Sequence, residues 1–346
     1  GIVITGTKAI VTGAPYVHEF LVMPSRNMRE DDADFAVCCA VPVDAPGITI
    51  VSRPAGRPGE PEHGAPLFSR KYGQATGVVI FDKVFVPWDR VFLSGEWEFS
   101  GDITYNYATH HRHSCIGARA GFGDLLIGAG ILMCEANGLD PNKKANLRDP
   151  MVELIKITEG FYACGVAASV YAVQDPYSKT FMPEPVYSNI GKLLLSTQIY
   201  DMHRLAHEVS GGLIVALPGP DEDHNPATAA TLAEVLRANP DVPYDKRIEV
   251  SRFIEDLTAS YQGGWYSLIS LHGGGSPTAL RQEIWRNYPV GSKVELVERL
   301  MDRGVLAEDN RAITKNKQPG RCCDAGCSQP GQPFMVPLPE TKKKRA

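Results

Sequence analysis

Between His110 and Arg119 the chain carries His110, His111, His113, Cys115 and Arg119. An imidazole near neutral pH either ligates a metal or moves a proton. A thiol supplies a soft ligand or a nucleophile, and a guanidinium holds a fixed positive charge. The adjoining run Gly121-Phe122-Gly123-Asp124-Leu125-Leu126-Ile127-Gly128-Ala129 has the apolar spacing of a buried helix, so the polar group falls in that helix's first turns. Polar groups buried without partners cost free energy, so the segment reads as the wall of a site. The histidines are open to three readings: metal ligands, acid–base groups, or satisfied core residues. A metal would need further ligands from elsewhere in the chain.

Three glycine-bearing segments stand apart from this cluster. Thr12-Gly13-Ala14-Pro15 marks a sharp exit from a strand. Ser210-Gly211-Gly212-Leu213 comes after a helical pattern, and either caps it or offers bare backbone to a planar or pyrophosphate ligand. It is not the strand–turn–helix fingerprint of a dinucleotide fold. Leu271-His272-Gly273-Gly274-Gly275-Ser276-Pro277 reads as a hinge whose Ser276 and Pro277 start the next helix. Its backbone N–H groups could face an anion. Cys322, Cys323 and Cys327 cluster near the end, but no fourth zinc ligand stands nearby.

Strands and helices must position these residues. Up to about residue 100, short β-branched runs (Ile2–Ile4, Ala9–Val11, Glu19–Met23, Phe35–Val43, Ile48–Val51, Gly77–Val86) alternate with Gly, Pro, Asn and Asp. Arg53–Pro66 is Pro- and Gly-rich and reads as a loop. Helical spacing then covers 115–137, 149–174, 188–210, 246–271 and 277–304, with Asp149-Pro150 opening the second segment. The division expected is a β domain over 1–103, a helical bundle over 104–312 and an irregular arm over 313–346 ending in basic Lys342–Arg345. A β wall succeeded by a helix wall makes a cleft.

The chain has 346 residues, 43% of them hydrophobic, and a net charge of −5. Such a balance gives no reason to expect nucleic acid or an anionic membrane as partner. The apolar runs break well before the roughly 18 residues a membrane span needs. The eight cysteines lack the spacing of a secreted disulfide scaffold, which fits a reducing cytoplasm. The chain starts at Gly1 with a strand and reads as a protein lacking an upstream part.

Taken together, these residues resemble a family. His111-Arg112-His113-Ser114, Gly121 to Ala129, Tyr162-Ala163-Cys164-Gly165-Val166-Ala167, Ser210-Gly211-Gly212-Leu213 and His272 to Pro277 are similar to the 4-hydroxybutyryl-CoA dehydratases. Lys8 to Ala14, His18-Glu19 and Phe81–Phe92 are shared with the related flavin-dependent 4-hydroxyphenylacetate 3-monooxygenases. Acyl-CoA dehydrogenases are more distant kin. The resemblance implies an α+β, acyl-CoA dehydrogenase-like fold. Its middle β-barrel or sandwich precedes an antiparallel bundle, the N-terminal helical domain is absent here, and the assembly is a homotetramer. It implies FAD in the cleft, with Thr12 and Gly13 on the β side and Ser210, Gly211, Gly212 and Leu213 giving backbone to the cofactor. His111, Cys115 and Arg119 fall on the family's catalytic segment.

The resemblance also implies a [4Fe-4S] cluster held by three cysteines and a histidine. His111 matches the histidine, but the cysteine expected seven residues on is Ala118, which cannot ligate iron. The family's tyrosine and lysine fall on Cys115 and Arg119, and its glutamate on Thr76. Three functions are therefore carried forward. One is an FAD-dependent dehydratase or Δ-isomerase of an acyl-CoA thioester. The second is a monooxygenase of a small aromatic substrate that uses reduced FAD. The third is a degenerate, non-catalytic relative.

Overall fold

A computed structural model gives the fold; the structure describes residues 1–56 and 67–303. The β part is two antiparallel three-stranded sheets. In the first, β1 (Ile2–Thr12) and β4 (Ile48–Arg53) flank β5 (Thr76–Val86). In the second, β2 (Glu19–Val22) and β6 (Val91–Ser94) flank β3 (Val37–Pro42). The sheets share a core in which Phe20, Cys39 and Val41 meet Val79, Phe81, Val84 and Val86. They are packed sheets; no barrel closes among the described residues, which corrects the barrel half of the expectation. The six strands pair in two separate groups of three, and no ladder among the described residues joins an edge of one sheet to an edge of the other.

The runs Ile2–Ile4 and Ala9–Val11 form one strand, because register shifts at Ile4/Gly6 and Lys8/Val11 carry the pairing past the break. Lys83, at φ 53°, bends β5 opposite the first shift. Alternation therefore slips after Phe81 and resumes at Val84 and Val86, keeping both apolar groups on the core face.

A short helix, α1 (Leu67–Tyr72), leaves the sheet region and docks on the bundle. The bundle's long members are α2 (Ser100–Ala136) and α3 (Ala145–Val170). A small hairpin of β7 (Val173–Gln174) and β8 (Phe181–Met182) leads to α4 (Pro185–Ser210). Then come α5 (Ala229–Val235), α6 (Tyr244–Thr258), α7 (Tyr261–His272), α8 (Pro277–Asn287) and α9 (Val290–Arg303). Helix α2 buries Thr109, Arg112, Ile116, Ala120, Gly123, Leu126, Gly130 and Met133 at spacings of three and four. Its neighbours α3 and α4 come close because a Cβ on Gly123 would lie 2.3 Å from Thr158 Oγ1, and one on Gly191 would lie 2.4 Å from Ile116 Cδ1. Phe161, Leu154, Leu195 and Ile199 complete the same core.

Several helix boundaries differ from the sequence reading. The polar cluster lies mid-helix, because α2 begins at Ser100 rather than near 115. Pro150 is the sixth residue of α3 rather than its opening residue, so its missing N–H leaves the Asn146 carbonyl without its intrahelical donor. The run 246–271 is two helices, split where Ser260 Oγ caps the amides of Gln262 and Gly263. Tyr288, in extended conformation, and Pro289 divide α8 from α9. The helical stretch Trp97–Ala136 is long and apolar enough by composition to cross a membrane. In this structure it packs against α3, α4 and α6. Most of the Arg53–Pro66 loop and the whole 313–346 arm, with Cys322, Cys323 and Cys327, lie outside the described residues.

Candidate active site

Helix α7 gathers the candidate residues along its length. At its N-terminal end Trp265 Nε1 donates to Thr76 Oγ1 at 2.8 Å, and Thr76 Oγ1 lies 3.4 Å from Thr12 Oγ1. Arg53 of β4 donates to the Tyr261 carbonyl at 2.8 Å and lies over the Tyr261 ring. Ser69 of α1 donates its amide to Asp256 Oδ2 at 2.7 Å. The sheet edge is therefore bonded to the bundle beside Thr12. In its last turn Ser270 Oγ accepts from Arg119 Nε at 2.6 Å, and the guanidinium lies 5.2 Å from the Tyr266 ring centre. At the C-terminal end the Gly274 carbonyl accepts from Arg112 Nε at 2.7 Å. A Cβ on Gly274 would stand 2.5 Å from His111 Nδ1. Gly274 and Gly275 take φ values of 77° and 116°, so this hinge closes over His111 and Arg112 in a way only glycine permits.

The three histidines part company. His110 is exposed. His113 Nε2 is held by the Gly165 carbonyl and Ser169 Oγ of α3, so it is a satisfied packing residue. His111 alone faces the cluster, its Nδ1 3.6 Å from Cys115 Sγ and its ring 5.6 Å from that of Tyr107. Burial and the charges of Lys192 and Arg112 lower the His111 pKa, keeping the imidazole neutral near pH 7. Burial raises the Cys115 pKa against the pull of Lys192 and Arg119, so it stays a thiol.

Two residues escaped the sequence reading. Lys192 of α4 is fully buried, and its ammonium donates to Ser196 Oγ at 2.8 Å and to the Ser270 carbonyl at 2.5 Å. Burial, with Arg119 and Arg112 nearby, brings its pKa down to about 8, although Cys115 acts in the opposite direction. A lysine inside a helical run looks like any surface lysine until the fold shows which face it occupies. His203 is a second case: it is buried against Phe122, its Nδ1 lies 3.4 Å from Ser267 Oγ, and its Nε2 has no partner among the described residues. Burial, His207 and Arg119 push its pKa down to about 4.

The glycine segments are open. Gly13 and Gly211 both take φ 78°, and a Cβ on Gly13, Gly211 or Gly212 would meet nothing within 4 Å. Bare, solvent-facing backbone of this kind fits a large planar or phosphate-bearing cofactor such as FAD. Thr12 and Gly13 sit at the sheet–α7 junction. The Ser210–Leu213 stretch is tied to the end of α6 through His207 Nε2, 2.7 Å from Thr258 Oγ1. No hydrogen bond among the described residues joins it to Thr12 or Gly13. A [4Fe-4S] cluster is a poorer fit. Position 118 is Ala, and no group of three or more His, Cys, Asp or Glu residues converges among the described residues. Cluster ligation takes four donors, mostly thiolates.

Comparisons with known proteins agree with this architecture. The family described as 4-hydroxyphenylacetate 3-hydroxylase N terminal matches residues 1–93, and its C-terminal counterpart matches 100–302. A 4-hydroxybutyryl-CoA dehydratase/vinylacetyl-CoA-Δ-isomerase of Clostridium aminobutyricum is 32% identical over 309 residues, which cover 86% of this chain and 62% of that protein. A 4-hydroxyphenylacetate 3-monooxygenase oxygenase component of Thermus thermophilus is 24% identical, over 83% of this chain and 59% of its own. Among solved structures, an oxygen-tolerant 4-hydroxybutyryl-CoA dehydratase from N. maritimus superimposes with a TM-score of 0.80 at 29% identity, covering 93% of this chain and 62% of that one. A 4-hydroxyphenylacetate 3-monooxygenase oxygenase component complexed with FAD shares the fold, with a TM-score of 0.78 at 22% identity over 88% of this chain and 63% of that one. The chain thus spans somewhat less than two thirds of these relatives. With both halves of the family matched in order along its length, the chain belongs to the 4-hydroxyphenylacetate 3-hydroxylase family.

Proposed function

We propose that this chain carries the sheet and bundle of an FAD-dependent enzyme of the dehydratase/Δ-isomerase type, acting on an acyl-CoA thioester such as 4-hydroxybutyryl-CoA or vinylacetyl-CoA. The observation that carries this reading is the 32% identity over 309 residues to the C. aminobutyricum enzyme, against 24% to the T. thermophilus monooxygenase component. Thr12, Gly13 and the Ser210–Leu213 backbone would hold FAD, which when bound supplies hydride or single-electron transfer. His111 is the proton-moving group: it is neutral, its Nδ1 is turned to Cys115 and the Gly274 hinge, and its Nε2 makes no hydrogen bond among the described residues. Arg119, fixed by Ser270, presents positive charge to a substrate oxygen but does not act as a proton donor near neutral pH. Cys115 is the third candidate, a neutral thiol between them. Tyr107 covers one side of His111.

A second reading has its own support. A monooxygenase of a small aromatic substrate, using reduced FAD and oxygen, needs no iron, so Ala118 costs it nothing. A non-catalytic relative would keep the fold and lose the flavin. Free thiols at Cys38, Cys39, Cys115, Cys134 and Cys164 accord with a reducing cytoplasm, and a homotetramer is the expected assembly. The test is an assay of the anaerobically purified full-length protein with FAD. Crotonyl-CoA formed from 4-hydroxybutyryl-CoA or vinylacetyl-CoA supports the first reading. Oxygen uptake dependent on a phenol and reduced FAD, with no turnover of either thioester, replaces it with the second. A protein that takes up no flavin leaves only the third.

A further inference from the structure

Buried positive charge normally has a carboxylate beside it. Here two cations share one residue and no carboxylate. Ser270 accepts Arg119 Nε on its hydroxyl and the Lys192 ammonium on its carbonyl. Lys192 is 0% exposed. Neither cation forms a salt bridge among the described residues, and the groups that act on them electrostatically are Cys115, Tyr266, Arg112 and each other. Arg119 is mostly buried but keeps some exposed surface, and its two terminal amines donate no hydrogen bond among the described residues, since only Nε is committed. Beside it Cys115 and His111 are also partly open, and Gly117 and Ala118 are exposed.

We infer that Arg119, backed by the buried ammonium of Lys192, is a receptor for an anionic oxygen on the ligand: a thioester enolate or an aromatic phenolate. Arg119 touches the oxygen through its terminal amines. Lys192 lies too deep for contact. It is a positioning residue that locks Ser270, and with it the guanidinium, and adds a second charge behind it. Removing an anion from water to such a place is favourable only because the charges waiting there are unpaired. The lowered pKa of Lys192 still leaves the amine mostly protonated at pH 7. This inference deepens the function proposed above and depends on it for the identity of the ligand.

Two chromophoric probes separate the sources, 4-nitrophenol for the aromatic oxygen and acetoacetyl-CoA for the thioester enolate. Each is titrated into the full-length, FAD-loaded protein while its absorption reports its own ionisation. The expected result is that at least one probe ionises about one pH unit lower when bound, a roughly tenfold preference for the anion. Arg119→Gln should abolish that shift, Arg119→Lys should keep part of it, and Lys192→Gln should reduce it. A merely structural role for these residues would alter affinity without moving the ionisation of the probe. Which probe responds identifies the ligand class. Failure of both probes to bind, binding without a shift, or an undiminished shift in Arg119→Gln would overturn the inference. Flavin absorbance in the same samples keeps the outcomes apart: a shift without bound flavin would retain the anion receptor and remove the flavoenzyme reading.

Discussion

His111, Cys115 and Arg119 were legible because reactive side chains inside an apolar helix are conspicuous in any chain. Lys192 and His203 were not, because each sits in an ordinary helical pattern and only packing reveals that it is enclosed. Thr76 shows the limit of residue matching: it occupies the place of an acid in the resembling family, yet here its hydroxyl accepts from Trp265 and secures the sheet to α7. His203 gives a pH prediction. Its pKa is lowered from 6.5 to about 4, so between those values the unfolded chain binds a proton that the folded chain refuses. The contribution is complete above the unfolded value and is lost as pH falls toward the folded one, on the order of 3 kcal/mol in all. Urea midpoints measured from pH 7 down to pH 4.5 should fall in the unaltered protein. They should fall less in His203→Leu. Parallel curves would show that His203 takes up its proton at the same pH in the folded and unfolded chain.

Among the elements, α7 does the most. Trp265, Ser270 and the glycine turn that follows the helix touch the sheet edge, Arg119 and Arg112 in turn. The sequence pattern merged α6 and α7 because apolar periodicity runs through both. The signal that parts them, a serine cap at Ser260, is a single residue. The strands were legible from β-branched runs and the turn residues between them, whereas the bulges that hold their register depend on backbone angles no pattern displays. Two predictions belong here. Trp265→Phe keeps most of the packing but leaves Thr76 without its donor, so stability should drop by about 0.5–1.5 kcal/mol. Flavin retention should weaken with it, as read by equilibrium denaturation and visible absorbance. Gly123→Leu places a side chain where Thr158 already stands, and should destabilise by about 1–3 kcal/mol or more through overpacking. A denaturation midpoint equal to that of the unaltered protein would mean α2 and α3 are less closely apposed than described.

At the scale of the molecule, apolar surface remains uncovered. Val294, Val297, Leu300 and Met301 line one side of α9, and Trp285 on α8 is 71% exposed. Such a stripe on a helix calls for a partner surface, in keeping with the proposed tetramer. Leu300→Glu should lower the assembly's mass in sedimentation equilibrium while leaving the monomer's helical circular dichroism intact; an unchanged mass would place the interface elsewhere. That strands precede the long helices was readable from the β-branched runs and the helical spacing. The joining of the two by α1, α7 and Arg53 was not, because it rests on contacts between segments almost two hundred residues apart, such as Trp265 with Thr76. That junction matters because the flavin is proposed to sit there, beside open backbone at Gly13 and against the bare Gly211-Gly212 turn. Equilibrium dialysis of FAD against the full-length protein and its Gly212→Val variant tests this most directly. Tight, saturable binding that the valine side chain weakens at least tenfold is the predicted result; absence of binding, or equal affinity in the two proteins, would contradict it.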